Sequence, residues 1–397
     1  MRHLYLAATG QNRGKTTASL GLVDLFLGQG LATGFMKPVG QRTVVDESGV
    51  PADEDAVLMK AVYDVPEPLA AMSPVHIPRG FTKAYIGGEV VEDLGARITA
   101  AHASFVPAKE MLLVEGTGHA GVGAVIGLSN AVVARLLGAP AVIVSEGGVG
   151  RPIDEIVLNA SHFAAHGVPV AGAIVNKVNV DTQPGIAGVL EKGLARHGIA
   201  LLGVVPYRPI LSNPTLSMIV AGTGAELLNA GPDLDLVIGG ISVAAMEPHH
   251  VLQHVTGRRI VIVAGDREDV IVALCRAHRV EVRRPAVARG EAELSTVGFV
   301  LSGYRPRPAL VDEIRRADLF ACFLDEDTYV VASTVHDLLV KTHAADREKI
   351  ATIKAIVAAS LDVERMLAAA TVATPIAWGN PAHLTRAPGT IEYHSRE

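Results

Sequence analysis

Ala8-Thr9-Gly10-Gln11-Asn12-Arg13-Gly14-Lys15-Thr16-Thr17 sets a lysine and two hydroxyls directly behind a glycine-bearing turn. Residue types in this order suit phosphate. Backbone N–H groups of such a loop, and of the helix start that follows it, point at an anion. Lys15 is placed to bridge β- and γ-phosphates, and the Thr16 hydroxyl to bind Mg²⁺. Thr9, Gly10, Gln11, Asn12, Arg13, Gly14, Lys15, Thr16 and Thr17 are therefore the candidate residues for ATP. The usual pattern has Gly or Ala where Thr9 stands, a small departure because Ala8 and Gly10 flank it.

Three further charged groups accompany the loop. Leu112-Leu113-Val114-Glu115 delivers a carboxylate at a strand end, suited to Mg²⁺ or an attacking water. Lys37-Pro38-Val39 presents a second ammonium towards the same crevice. Asp53-Glu54-Asp55 has two readings: an acidic helix start favoured by the helix dipole, or a second Mg²⁺ ligand from Asp55. The glycine-rich Ser145–Gly150 turn reads as a pocket wall.

These groups need elements to position them. Residues 1–206 alternate short apolar runs with amphipathic segments. The expected strands are His3–Ala8, Ala32–Lys37, Met111–Glu115, Ala141–Ser145, Val170–Asn176 and Leu201–Val205. The expected helices include Lys15–Gly28, Asn130–Leu137 and Ile153–His166. Several runs are apolar at consecutive positions, as parallel strands buried on both faces are. The expected fold is α/β, a P-loop NTPase-like, doubly wound, mostly parallel sheet over residues 1–208, with ligands at the carboxyl ends of its strands. A Pro-punctuated stretch, Pro206–Pro214, introduces a smaller α/β domain over 209–340. There Arg259–Ala264 and Gly298–Ser302 read as strands, and Pro308–Ala317 and Ser333–Leu339 as helices. Residues 341–397 read as a C-terminal helix, Asp346–Ala370, followed by a loosely attached tail from 371 that holds Trp378.

Composition narrows the class. Lys plus Arg number 35 against 41 Asp plus Glu, a net charge of -6 without a long basic run, so neither nucleic acid nor a membrane surface is an expected partner. Hydrophobic residues at 49% and charged residues at 19% exclude intrinsic disorder. No apolar run approaches the roughly 18 residues of a membrane helix. Two cysteines, Cys275 and Cys322, form no disulfide framework, and the start MRHLYLAATG does not read as a signal peptide. A cytoplasmic location is the expectation.

The segments ATGQNRGKTT, GFMKPVG, DEDA, LLVEGTG and AIVNKVN, in this order, resemble the dethiobiotin-synthetase-like branch of P-loop proteins over about residues 1–208. That resemblance implies roles. The lysine matching Lys37 touches a carboxylated substrate, the carboxylates matching Asp55 and Glu115 hold Mg²⁺, and the asparagine matching Asn176 reads the adenine. Lys15, Lys37 and Glu115 become the catalytic candidates, and Thr16, Asp55 and Glu115 the metal set. Gln41 and the Pro74–Tyr85 stretch depart from the synthetase substrate region. Further on, Val261–Asp269, Leu301-Ser302-Gly303-Tyr304 and Asp327-Thr328-Tyr329 resemble the DRTGG domain. The pair is similar to the N-terminal regulatory half of long bacterial phosphotransacetylases. Those enzymes continue into an acyltransferase domain, and a chain ending at Glu397 is not expected to transfer acetyl groups alone.

The resemblance implies a regulatory or sensor protein that binds ATP and Mg²⁺, with a small-molecule effector for the DRTGG domain. Asp266 and Arg267 are the candidate effector contacts. An acetyltransferase or another acetate-metabolism enzyme is the expected partner, and a homo-oligomer the expected assembly. The alternative is an ATP-dependent ligase that activates a carboxylate or carbamate. Among 15 histidines, the adjacent His249 and His250 are expected to diverge, and His162 with His166, at i, i+4, lacks a third ligand nearby in sequence. Arg276, Arg279, Arg283, Arg284 and Arg289 read as a solvated basic face, with an anionic effector as the other reading.

Overall fold

The computed structural model describes residues 1–45, 49, 51–90, 92–284, 294–338, 340–344 and 346–372. The chain divides into two units. One joins residues 1–207 to the segment from Thr342 onward, and the other is Arg208–Lys341.

In the first unit, β1 (Arg2–Ala8), β2 (Thr33–Met36), β3 (Met111–Glu115), β4 (Ala141–Glu146), β5 (Val170–Val178) and β6 (Leu201–Pro206) make one parallel sheet. Their order is β6-β5-β4-β1-β3-β2. Leu4, Leu6, Leu112, Val114, Val142 and Val144 are wholly buried, which is why the strands read as unbroken apolar runs. The helices α1 (Lys15–Gly28), α2 (Glu54–Tyr63), α3 (Leu94–Ala103), α4 (Asn130–Leu136), α5 (Gly150–Ala165) and α6 (Ile186–Ala195) complete the alternation. The order switches sides at β1, whose neighbours are β3 and β4. The carboxyl ends of these strands frame the crevice in which open parallel sheets take their ligands.

The second unit holds α7 (Leu216–Thr223), β7 (Glu226–Asn229), β8 (Gly240–Val243), α8 (Pro248–His254), β9 (Arg259–Ala264), α9 (Glu268–Glu281), β10 (Thr296–Ser302), α10 (Pro308–Arg316), β11 (Phe320–Leu324) and α11 (Thr328–His336). Its sheet runs β7-β11-β10-β9-β8, parallel except for the antiparallel edge strand β7. Cys275 and Cys322 are buried free thiols within it.

The stretch expected as one helix over 346–370 is two, α12 (Arg347–Ser360) and α13 (Val363–Ala369), and both belong to the first unit. The break has a local cause. Leu361 is extended and bridges Gly203 of β6, while the Asp362 carboxylate accepts the Arg365 N–H at 2.9 Å and starts the next turn. Residues 371–372, expected to begin the tail, form β12 and pair antiparallel with β1. The remainder of that tail, with Trp378, lies outside the described residues, as does Arg289. Among the described residues no helix is long and apolar enough to cross a membrane.

Helix α12 lies directly against α1. A Cβ on Gly21 would sit 2.2 Å from the Val357 Cβ, so the absence of a side chain at 21 sets how closely the two helices approach. Lys354 pairs with Asp24 at 2.7 Å and lies over the Tyr63 ring. In an exposed helix Gly→Ala stabilises by up to about 1 kcal/mol. Here Gly21→Ala is expected to destabilise by about 1–3 kcal/mol through overpacking. Adding Val357→Ala should recover part of the loss relative to Val357→Ala alone, measured by urea unfolding. A stabilising Gly21→Ala would contradict this packing.

Candidate functional site

The loop between β1 and α1 turns on two left-handed residues, Asn12 at φ 58° and Gly14 at φ 87°. Successive N–H groups in such a conformation make an anion-binding concavity. A side chain at Gly14 is doubly excluded, because its Cβ would lie 1.9 Å from the Asn176 Nδ2. That amide donates to the Arg13 carbonyl at 3.1 Å, and the neighbouring Lys177 ammonium donates to the Asn12 carbonyl at 2.7 Å. Asn176, expected to read a base, braces the loop from the end of β5 in this structure. Thr9 has its own employment: its hydroxyl donates to Glu155 of α5 at 2.8 Å and lies 3.2 Å from the Ser145 hydroxyl. Arg13 pairs with Glu146 at 2.6 Å, so the Ser145–Gly150 turn touches the loop through its first two residues.

Below the loop the expected charged residues come together. Met36 of β2 is level with Val114 of β3, so the next residues, Lys37 and Glu115, emerge side by side. The Lys37 ammonium lies 2.5 Å from Asp55 Oδ2 and 2.8 Å from Glu115 Oε1. Thr16 donates to Asp55 Oδ1 at 3.0 Å, and Ser19 donates to Glu115 Oε2 at 2.6 Å. The acidic triplet divides its work among its residues. Asp53 caps α2 by accepting the Asp55 N–H at 3.1 Å, Glu54 pairs with Arg42 at 3.4 Å, and Asp55 turns inward.

Burial decides the electrostatics. Lys37 is 4% exposed and Glu115 1%. Burial alone would strip Lys37 of its proton, but Asp55 and Glu115 outweigh it and hold the ammonium well above its usual range. Burial likewise opposes the Asp55 charge, yet Lys37 pulls this carboxyl down to about 2. Glu115 goes the other way: burial, then repulsion from Asp55, pushes it up to about 7. Burial, with Lys37 nearby, brings Lys15 down to about 8. The Thr16 hydroxyl and the two carboxylates form the hard-oxygen set that suits Mg²⁺. Lys37 is the counter-charge of the two carboxylates in this structure.

A family profile described as an AAA domain matches residues 2–215, more than half of the chain. The chain belongs to this AAA-domain family. A second profile, described as a DRTGG domain, matches residues 218–338. The phosphate acetyltransferase of Synechocystis sp. is 23% identical over 375 residues, 92% of this chain and 51% of that protein. That of Pseudomonas putida is 27% identical over 293 residues, covering 70% of this chain and 40% of its own. The chain thus spans about half the length of the first of these relatives or less. Among solved structures, the septum site-determining protein MinD of Pyrococcus horikoshii, complexed with Mg-ADP, is 15% identical. It covers 53% of this chain and 83% of its own at a TM-score of 0.34.

The AAA domain supplies Thr9, Asn12, Arg13, Gly14, Lys15, Thr16, Lys37, Asp55, Glu115 and Asn176 as one connected cluster; Gln11 is exposed. Ser19, Lys177 and Glu155 join it without having been singled out from the sequence. The first two left a trace: Ser19 is a hydroxyl one turn after Lys15 in an apolar helix, and Lys177 follows Asn176. Glu155 left none, because nothing in the α5 sequence tells that it faces Thr9. Gln41 is exposed.

In the DRTGG domain, Arg267 is held by Asp269 at 2.9 Å and donates to the Met246 carbonyl at 3.1 Å. The Ser302 and Thr328 hydroxyls meet at 2.8 Å across β10 and the start of α11. Arg279 of the basic face pairs with Glu313. His249 and His250 do not diverge: their ring centroids are 3.9 Å apart. Adjacent residues diverge on a regular element, and these two stand in the first turn of a short helix, where the backbone has only just become regular.

Lys37→Met leaves two buried carboxylates without their ammonium. Removing one partner of a buried pair costs about 3–5 kcal/mol. Urea unfolding in chelator should show that loss, and Mg²⁺ should then raise the variant's midpoint more than the wild type's. A variant as stable as wild type in chelator would mean that Lys37 does not neutralise the pocket.

Proposed function

We propose that the first unit binds ATP with Mg²⁺, and that the DRTGG domain makes the chain a regulatory or sensor protein allied to acetate metabolism. One observation carries the nucleotide reading. Lys15, Thr16, Lys37, Asp55 and Glu115, from four separate stretches of sequence, converge in one cluster centred on the buried Lys37 and Glu115, beneath a loop whose left-handed residues suit an anion. Lys15 would meet the β- and γ-phosphates, while Thr16, Asp55 and Glu115 would hold Mg²⁺. The metal, when bound, would neutralise phosphate charge. Similarity to phosphate acetyltransferases along nearly the whole chain supports the metabolic setting, with an acetyltransferase or related enzyme as the partner.

ATP with Mg²⁺ at a hundredfold excess over its dissociation constant should stabilise the fold by about 2.7 kcal/mol. The Lys15→Ala variant should lose most of that thermal shift. An equal shift in the variant would remove the phosphate loop from the nucleotide site.

A second reading rests on Lys37. An ammonium held beside the carboxylate set is also placed to receive an acidic substrate, as in a ligase. ATP would phosphorylate a carboxylate or carbamate, releasing ADP, and an amine would close on the acyl phosphate and expel phosphate. Catalysis would be charge stabilisation by Lys15 and Lys37. Calorimetric titration of metabolites with and without ATP and Mg²⁺ separates the two. A sensor requires reciprocal coupling, typically about 5–150-fold, that is lost in Asp266→Ala with Arg267→Ala. ADP release that depends on an added acid, survives that double substitution and vanishes in Lys37→Ala would establish the ligase instead.

A further inference from the structure

Among the described residues, one group of three metal-ligating side chains has its ligand atoms within 4.8 Å of one another: Glu247, His249 and His250. We propose that these residues form a site for a borderline divalent cation of the zinc class, Zn²⁺, Co²⁺ or Ni²⁺. The inference is independent of the nucleotide reading, because all three residues lie in the second unit.

The backbone that carries them is fixed. Ala244 continues past β8 and donates its N–H to the Ile262 carbonyl of β9 at 2.9 Å. The Met246 carbonyl accepts from the Arg267 guanidinium, itself held by Asp269. Pro248 opens α8, and the His250 and Val251 N–H groups both reach the Glu247 carbonyl at 3.0 Å. Val251 and Val255 are buried in the same apolar cluster as Val270 and Leu274 of α9, which turns the opposite side of α8 to solvent. The group stands just beyond the carboxyl end of β8, the sheet edge at which parallel α/β folds take ligands.

The side chains are unengaged in capping and gathered together. Glu247 occupies the position before the helix, yet its carboxylate makes no cap bond. It lies instead 3.5 Å from His249 Nδ1, and the two imidazoles are tilted by 45°. Two imidazoles with one carboxylate is a donor set that suits zinc-class cations, whereas Mg²⁺ and Ca²⁺ prefer oxygen alone. Tetrahedral bonds of about 2.0–2.1 Å put donors about 3.3 Å apart. Rotation of exposed side chains closes the remaining gap. Three protein ligands leave a fourth position open for water or an anionic ligand. The partial positive charge of a helix start opposes a cation, but α8 has only 7 residues and Glu247 offsets it. The His162–His166 pair lacks these features: His166 Nδ1 is bonded to the His162 carbonyl at 2.9 Å, and the described residues put no third ligand within reach.

The test uses the full chain, freed of any affinity tag and stripped with chelator. Co²⁺ titration should give visible d–d bands that saturate at one equivalent and are bleached by Zn²⁺, while a large excess of Mg²⁺ leaves them unchanged. His249→Ala with His250→Ala should abolish the bands, Glu247→Gln should weaken binding, and His162→Ala with His166→Ala should leave it intact. The side chains replaced at 247, 249 and 250 are exposed, so the fold of those variants, checked by circular dichroism, should survive. Absence of a saturating site in the wild type overturns the proposal. So does undiminished binding in the His249/His250 double variant.

Discussion

A lysine ammonium buried between two carboxylates dictates how the first unit must be built. An ion in an apolar interior costs several kcal/mol unless its partners are placed accurately. For Lys37 the partners come from different parts of the chain, Glu115 at the end of β3 and Asp55 in the first turn of α2. The pair with Glu115 requires β2 beside β3 in the observed register. The pair with Asp55 requires α2 to begin where it does, which the Asp53 cap secures. The outer carboxylate oxygens then fall to Thr16 and Ser19, three residues apart on one face of α1. Strand order, helix start and phosphate loop are thereby coupled to a single charge.

Much of this was legible in the sequence. Parallel strands covered on both faces leave continuous apolar runs, so β1, β3 and β4 stood out. The need for left-handed backbone and close approach confines Gly14, and the charged residues of the site follow strand ends at which an α/β sheet must place its chemistry. What escaped depends on tertiary neighbours. Glu155 meets Thr9 only because α5 starts beside the loop. The helix over 346–370 breaks because Leu361 finds an edge partner in β6, which no local propensity signals. His249 and His250 converge where regular geometry would part them.

The two units use the same architecture to different ends. In the AAA domain the carboxyl edge of the sheet is buried, charged and braced through the backbone carbonyls of its loop. In the DRTGG domain it is exposed and laced with ion pairs: Arg267 with Asp269, Arg307 with Glu268, Arg305 with Glu226. Exposed pairs of this kind contribute little to stability. An edge so furnished can exchange internal partners for others at small cost.

Because the second unit interrupts the first, synthesis and folding are out of step. The ribosome completes β6 and must then make the whole of 208–341 before α12 and β12 exist. At about 5–20 residues per second that interval is roughly 7–27 s. Throughout it, the face of α1 around Gly21 stays open to water and β1 lacks one of its hydrogen-bonded neighbours. The nucleotide-binding half of a nascent chain is therefore incomplete long after its central strands have emerged.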